Sequence, residues 1–179
     1  MTADRPLAAV LSPIPWHGLW TSRHELAGAL GRRGWHVLFF DPPANRARRV
    51  ARSAPRRPGG PPPAGVEVLT PPAYLPYGWA RGLGAAGRAV VDLNAARYAR
   101  YVAGAVATAT GAGRGRRPGG GVDLLINSFM PVLGYRVDRE VAARVRVYHR
   151  ADELRQFPSW CEQYSRLEEA VARHADVVA

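Results

Sequence analysis

Residues 8–43 read AAVLSPIPWHGLWTSRHELAGALGRRGWHVLFFDPP, and this stretch decides the fold. Ala8 to Leu11 is a short apolar run without charge, the pattern of a strand covered on both faces. Ser22 stands three residues before Glu25, a capping-box spacing that predicts the start of a helix. Leu26, Ala27 and Leu30 follow at helical spacing, and Gly34 closes the helix just after Arg32 and Arg33. His36 to Phe40 is a second apolar run, closed by Asp41, Pro42 and Pro43. A helix that joins two such runs is the right-handed crossover of a parallel sheet. Ligands of such sheets sit beyond the carboxyl ends of the strands, which here means the loop Ser12 to Thr21.

The rest of the chain extends this pattern. Residues 44–65 are rich in Arg, Pro and Gly and predict a mobile loop, with no evident helix before the third strand, Val66 to Leu69. That strand is expected at a sheet edge, with its direction left open between parallel and antiparallel. Tyr74, Leu75, Pro76, Tyr77 and Trp79 then form an aromatic loop that either covers the sheet edge or touches a ligand. A long helix is expected from Leu83 to about Thr110, with Val90, Leu93, Ala96, Arg97 and Tyr101 along one face. A formal GxGxxG at Gly82 to Gly87 follows an aromatic loop instead of a strand and lacks the later acidic residue, so it is rejected as a dinucleotide fingerprint. After a second Gly/Arg loop, 111–121, Val122 to Ile126 reads as a buried strand, and Asn127 to Pro131 leaves its carboxyl end. A helix over Val132 to Ala143, weakened by Gly134, leads to a strand at Val145 to Tyr148. Ser159 is expected to cap a helix from Trp160 to His174, and Asp176 begins a last strand. The chain stops inside that strand, which reads as a cut domain.

Composition narrows the function classes. A chain of 179 residues with 47% hydrophobic content can bury a real core as a single domain, residues 1–179. No stretch approaches the roughly 18 apolar residues of a membrane span, and the N-terminus does not read as a signal peptide, so a cytoplasmic location is expected. Cys161 is the only cysteine, which excludes a disulfide framework and a cysteine-based zinc site; no His/Asp/Glu cluster has metal spacing, and no metal is expected. Cys161 itself reads as a small helix residue with no neighbour to activate it. The net charge is +11 and every basic residue is arginine, as in the coding bias of a GC-rich genome. The arginines concentrate at 46–57 and 114–117 without interleaved aromatics. Solvated loops, or attraction to an anionic membrane or a phosphorylated substrate, account for them better than nucleic acid.

Three segments together resemble the N-terminal domain of GT-B glycosyltransferases, the broad group (family 4, or group 1) that includes bacterial teichuronic-acid and exopolysaccharide transferases. Arg23-His24-Glu25-Leu26-Ala27, followed by Gly34 to Pro43, is similar to the family's R-x-x-L-A … G-x-x-V-L-F-V-x-P-P. Tyr148 to Asp152 is similar to Y-D-x-x-D, and Glu168 with Ala175-Asp176-Val177-Val178 to E … A-D-x-V. His149 stands where relatives often carry Asp, which puts any role of that carboxylate in doubt.

The resemblance implies an α/β, Rossmann-like, mostly parallel sheet flanked by helices. It also implies an acceptor-side domain of an enzyme that transfers a sugar from a nucleotide-sugar to a cell-envelope or exopolysaccharide acceptor. Family members are longer and carry a second domain that binds most of the donor; nothing here matches it, so this chain alone is expected to be inactive and to hold no cofactor. Its implied partners are a glycan or lipid-linked sugar, the missing C-terminal domain, and peripherally the inner face of the membrane. Within that picture His17 is the candidate base or sugar-hydroxyl partner, or else a solvated loop residue. Gly18 allows close backbone approach, and Trp20 either stacks on a sugar or plugs the loop against the helix. Arg23 faces the cleft beside the positive end of the helix, while His24 is packed or solvated. Ser128 and Phe129 lie beyond the fourth strand, and Arg150 and Asp152 beyond the fifth, with an Arg150–Asp152 pair as the structural alternative. The competing function is a stand-alone, non-catalytic Rossmann-like binding or regulatory module.

Overall fold

The computed structural model describes residues 5–43, 60–75, 84–111, 121–150 and 162–179. Much of both arginine-rich segments, Tyr77 and Trp79, the first glycine of the GxGxxG, Asp152, the Ser159 cap and Cys161 lie outside them. Within them, β1 (Leu7–Leu11), α1 (Ser22–Arg32), β2 (His36–Phe40) and β3 (Val66–Leu69) are followed by α2 (Gly84–Thr110) and β4 (Val122–Ser128). Then come α3 (Pro131–Glu140), β5 (Ala143–His149), α4 (Glu162–His174) and β6 (Val177–Val178). The six strands form one sheet in the order β3-β2-β1-β4-β5-β6, and every neighbouring pair is parallel. This is the doubly wound, Rossmann-like α/β order, with its chain reversal between β1 and β4. β3 lies at the edge, as expected, and its open direction is now fixed as parallel to β2.

Strand alternation divides the core between two faces. Leu7, Ala9, Leu11, Leu38 and Phe40 pack with Tyr98, Ala99 and Val102 of α2 and with Leu133 and Val137 of α3. Ala8, Val10, Val37 and Phe39 pack on the opposite face with Trp16 and with Ala27 of α1. β1 is buried along its whole length because it is covered on both faces and paired on both edges.

Local chemistry explains the element ends, with some corrections to the sequence reading. The N-cap of α1 is Thr21, one residue before the expected Ser22, and His24 takes the role assigned to Glu25. The Thr21 N–H donates to His24 Nδ1 over 3.1 Å, so the imidazole carries its proton on Nε2 and donates it to the Pro15 carbonyl at 3.3 Å. At the other end, the Gly34 N–H donates to Gly31 O and the Trp35 N–H to Leu30 O, a Schellman closure that needs the left-handed φ of 85° at Gly34.

The long helix is rotated from its expected face. Gly87, Val91, Asn94, Ala95, Tyr98, Ala99, Val102 and Val106 are buried, whereas Leu93 and Arg97 of the predicted stripe are exposed. Alanine and valine surround α2 on most sides, so hydrophobicity alone does not set its phase. Asn94 does: its side chain accepts the Leu75 N–H at 3.0 Å and donates to the Leu75 carbonyl at 2.9 Å, pinning one face to the chain that follows β3.

The remaining differences are of length. β4 runs on through Asn127 and Ser128, α3 stops at Glu140, and β5 starts at Ala143. Arg146 stops α3 by donating to the carbonyls of Asp138, Val141 and Ala143 at 3.1, 3.2 and 3.0 Å.

Candidate functional site

The carboxyl ends of β1, β2, β4 and β5 meet where the sheet order reverses, and the loop 12–21 lies there. Ser12 starts it with a local turn, its hydroxyl donating to Ile14 O at 2.7 Å and accepting the Ile14 N–H at 3.2 Å. Trp16 is fully buried. Its N–H donates to Asp41 Oδ1 at 2.7 Å, and its ring meets Trp20, His24 and Phe39 edge-on. Burial pushes the Asp41 carboxyl up, against the pull of that N–H and of His17 and His24. Asp41 therefore fixes the backbone immediately before His17, a role that the sequence reading did not assign.

Within this frame His17 is exposed on the loop. Gly18 closes a tight turn, its N–H donating to Pro15 O at 2.8 Å, and a Cβ there would lie 2.9 Å from that same oxygen. The glycine is explained by the turn itself, with no ligand required. Trp20 is 45% exposed, stacks on His24 with centroids 4.9 Å apart, and donates its indole N–H to Glu25 Oε1 at 2.6 Å. The ring thus lies against the helix, the plug of the sequence reading, and still shows a large surface. His24 is fully buried, and burial lowers its pKa, in keeping with a neutral ring that accepts at Nδ1 and donates at Nε2.

Arg23, in the first turn of α1, is buried. Its charge reaches His149 at the end of β5, whose pKa is lowered first by burial and then by Arg23. His149 Nδ1 lies 3.4 Å from the fully buried Ser128 Oγ, because the parallel register sets Ser128 directly beside His149. Phe129 follows with φ of 56°, a left-handed conformation that a bulky residue adopts only under constraint. The structure thus joins Arg23, Ser128 and His149 from three elements, with Phe129 next in the chain. His149 was noted in the sequence only as a departure from Asp, and nothing local in the sequence reveals the register that gives it a place here.

Arg150 is directed elsewhere. Its Nε donates to Glu168 Oε1 at 3.1 Å, and the same oxygen accepts the Tyr148 hydroxyl at 2.9 Å. These groups line an open cavity of about 400 Å³ between β5, α4 and β6, separate from the Ser128–His149 contact. Tyr148 and Glu168, two of the positions that carry the family likeness, are therefore a buried hydrogen-bonded pair that fastens α4 to the sheet. The phenol is pushed far up by burial and by the Glu168 carboxylate. Tyr148→Phe is expected to cost about 1.5 kcal/mol, the worth of a hydrogen bond to a charged group, measured by urea unfolding. An unchanged midpoint would remove this account of the pair.

Among the described residues no group of three metal-ligating side chains converges, and no helix is long and apolar enough to cross a membrane. The crevice instead offers a guanidinium, a hydroxyl and an imidazole at the positive end of α1, a donor-rich setting for an anionic or hydroxyl-rich ligand. In comparisons with known proteins, no family model matches the chain and no curated protein matches it.

Proposed function

We propose that this chain is the acceptor-side domain of a GT-B-type glycosyltransferase, which transfers a sugar from a nucleotide-sugar to a cell-envelope or exopolysaccharide acceptor. The observation that carries this reading is the grouping of Arg23, Ser128 and His149 at the reversal point of an all-parallel sheet, with His17 exposed on the adjoining loop. Sugar transfer requires that an acceptor hydroxyl be held in line and that charge on a leaving diphosphate be offset. His17 is the candidate base, because it is an exposed imidazole on the loop at the carboxyl end of β1. Arg23 and the α1 terminus supply positive potential, and His149 with Ser128 supplies hydrogen bonds. The donor nucleotide would be bound chiefly by a second domain, so this chain alone would bind without turnover. A cytoplasmic enzyme acting at the inner membrane face fits that chemistry.

The test is a titration, followed by NMR, with UDP- and GDP-sugars and with a short-chain polyprenyl diphosphate sugar. Shifts should gather on residues 12–23, 128–129 and 149. His149→Gln and His17→Ala should each weaken binding about tenfold, the worth of one hydrogen bond to a charged ligand, with unfolding midpoints unchanged. A folded protein that binds none of these probes, or variants that bind like the parent, would defeat the proposal.

A further inference from the structure

The open cavity of about 400 Å³ between β5, α4 and β6 lies outside the crevice. Its size suits a small ligand, for which pockets run from roughly 300 to 1,000 Å³. Opposite charges stand side by side on its wall. Glu168 is 8% exposed, and its Oε1 accepts both the Tyr148 hydroxyl at 2.9 Å and Arg150 Nε at 3.1 Å. No described residue donates to its Oε2, so a buried carboxylate that lines the cavity keeps one oxygen for an incoming donor. Arg150 is partly exposed and brings guanidinium donors to the same wall. Glu169 adds a second, exposed carboxylate. Ala172 and Val178 supply apolar surface, and Val178 is 54% open to water.

These groups select the ligand by charge. A simple anion meets the repulsion of two carboxylates, and a simple cation meets that of Arg150. The ligand must therefore offer a donor to Glu168 and an acceptor to Arg150. Charged groups make such hydrogen bonds roughly twice as strong as neutral hydroxyls do. Arg150 Nε and Glu168 Oε1 are only 3.1 Å apart, so the ligand's two opposite charges must be similarly close. An α-amino acid holds them on one carbon and leaves its side chain for Ala172 and Val178. We propose that this cavity binds a free α-amino acid with an apolar side chain, its ammonium on Glu168 Oε2 and its carboxylate on Arg150. Burying Val178 against that side chain adds the apolar part of the affinity. The inference is independent of the transferase reading, since none of these groups belongs to the crevice.

The experiment is an NMR titration of the whole chain with leucine. Amide shifts should gather on residues 148–150, 165–172 and 178, while residues 12–20 stay still. Leucinamide lacks the carboxylate and N-acetylleucine lacks the ammonium. Each should bind about tenfold more weakly than leucine, the worth of one charge-assisted hydrogen bond. Glu168→Gln should weaken leucine to the same degree. Glu168 also fastens α4, so the two analogues, which leave the protein untouched, carry the decisive comparison. Analogues that bind as well as leucine, or leucine shifts confined to the crevice, would overturn the proposal. So would a cavity that answers to glucose and not to leucine, since its wall would then recognise hydroxyl groups.

Discussion

Replacing Gly134 by alanine is expected to destabilise the protein by about 3 kcal/mol, although helix propensity alone favours alanine by about 1 kcal/mol. Gly134 is in the middle of α3, and a Cβ there would stand 2.3 Å from Asn127 Nδ2 and 2.9 Å from its Cγ. Asn127 is fully buried at the end of β4 and cannot yield cheaply. Its Oδ1 accepts the Met130 N–H at 3.0 Å, and its Nδ2 donates to Asp138 Oδ2 at 2.9 Å. Room for the methyl group comes only by breaking these bonds or by lifting α3 from the sheet, and each buried group left unsatisfied costs about 1–3 kcal/mol. Urea unfolding measures the effect, and a double-mutant cycle identifies its source. In an Asn127→Ala background the clash is gone, so Gly134→Ala should become neutral or stabilising. The same penalty in both backgrounds would place the cost elsewhere than at Asn127.

The second large effect concerns Asp138, the acceptor in that pair. It is 4% exposed, and burial pushes its carboxyl up from 3.8 to about 6, although Asn127, His174 and Arg146 pull it down. A raised acid binds its proton more tightly when folded. Between the two values the folded state therefore holds more protons than the unfolded chain, and stability falls as pH rises. The contribution is fully present below about pH 4 and is lost as pH passes 6. A difference of about 2 pH units corresponds to about 3 kcal/mol. Asp138→Asn keeps an oxygen that accepts from Asn127 Nδ2 and has no charge to desolvate. Relative to the parent, its stability should therefore improve by about 3 kcal/mol between pH 4 and pH 8. Unfolding curves at pH 4, 6 and 8 decide this, and parallel pH dependences for the two proteins would sink it.

These two residues show where the sequence could be read and where it could not. Gly134 read as a weak point in a helix because propensity treats a glycine as lost stability. Only the tertiary approach of Asn127 shows that the missing side chain is what lets α3 lie on β4. The place of Ser128 at the carboxyl end of a parallel strand was legible, since the apolar run before it marks that strand. His149 was not, because its nearness to Ser128 depends on the β4–β5 register, a long-range pairing that leaves no local pattern. Arg150 was placed with the site because it lies beyond the carboxyl end of the fifth strand. Successive strand residues point to opposite faces, and it pairs with Glu168 instead.

What the sequence determined by itself was the parallel α/β class, the strands and the location of the first loop. Unbroken apolar runs, helical spacing and glycine stops are local signals. Tertiary structure alone decided the β3-β2-β1-β4-β5-β6 order, the buried face of α2, the capping role of His24 and the grouping of Arg23, Ser128 and His149. Each depends on contacts between residues far apart in the chain or on competition between nearly equivalent faces, and there the free energy of packing, which no short segment contains, makes the choice.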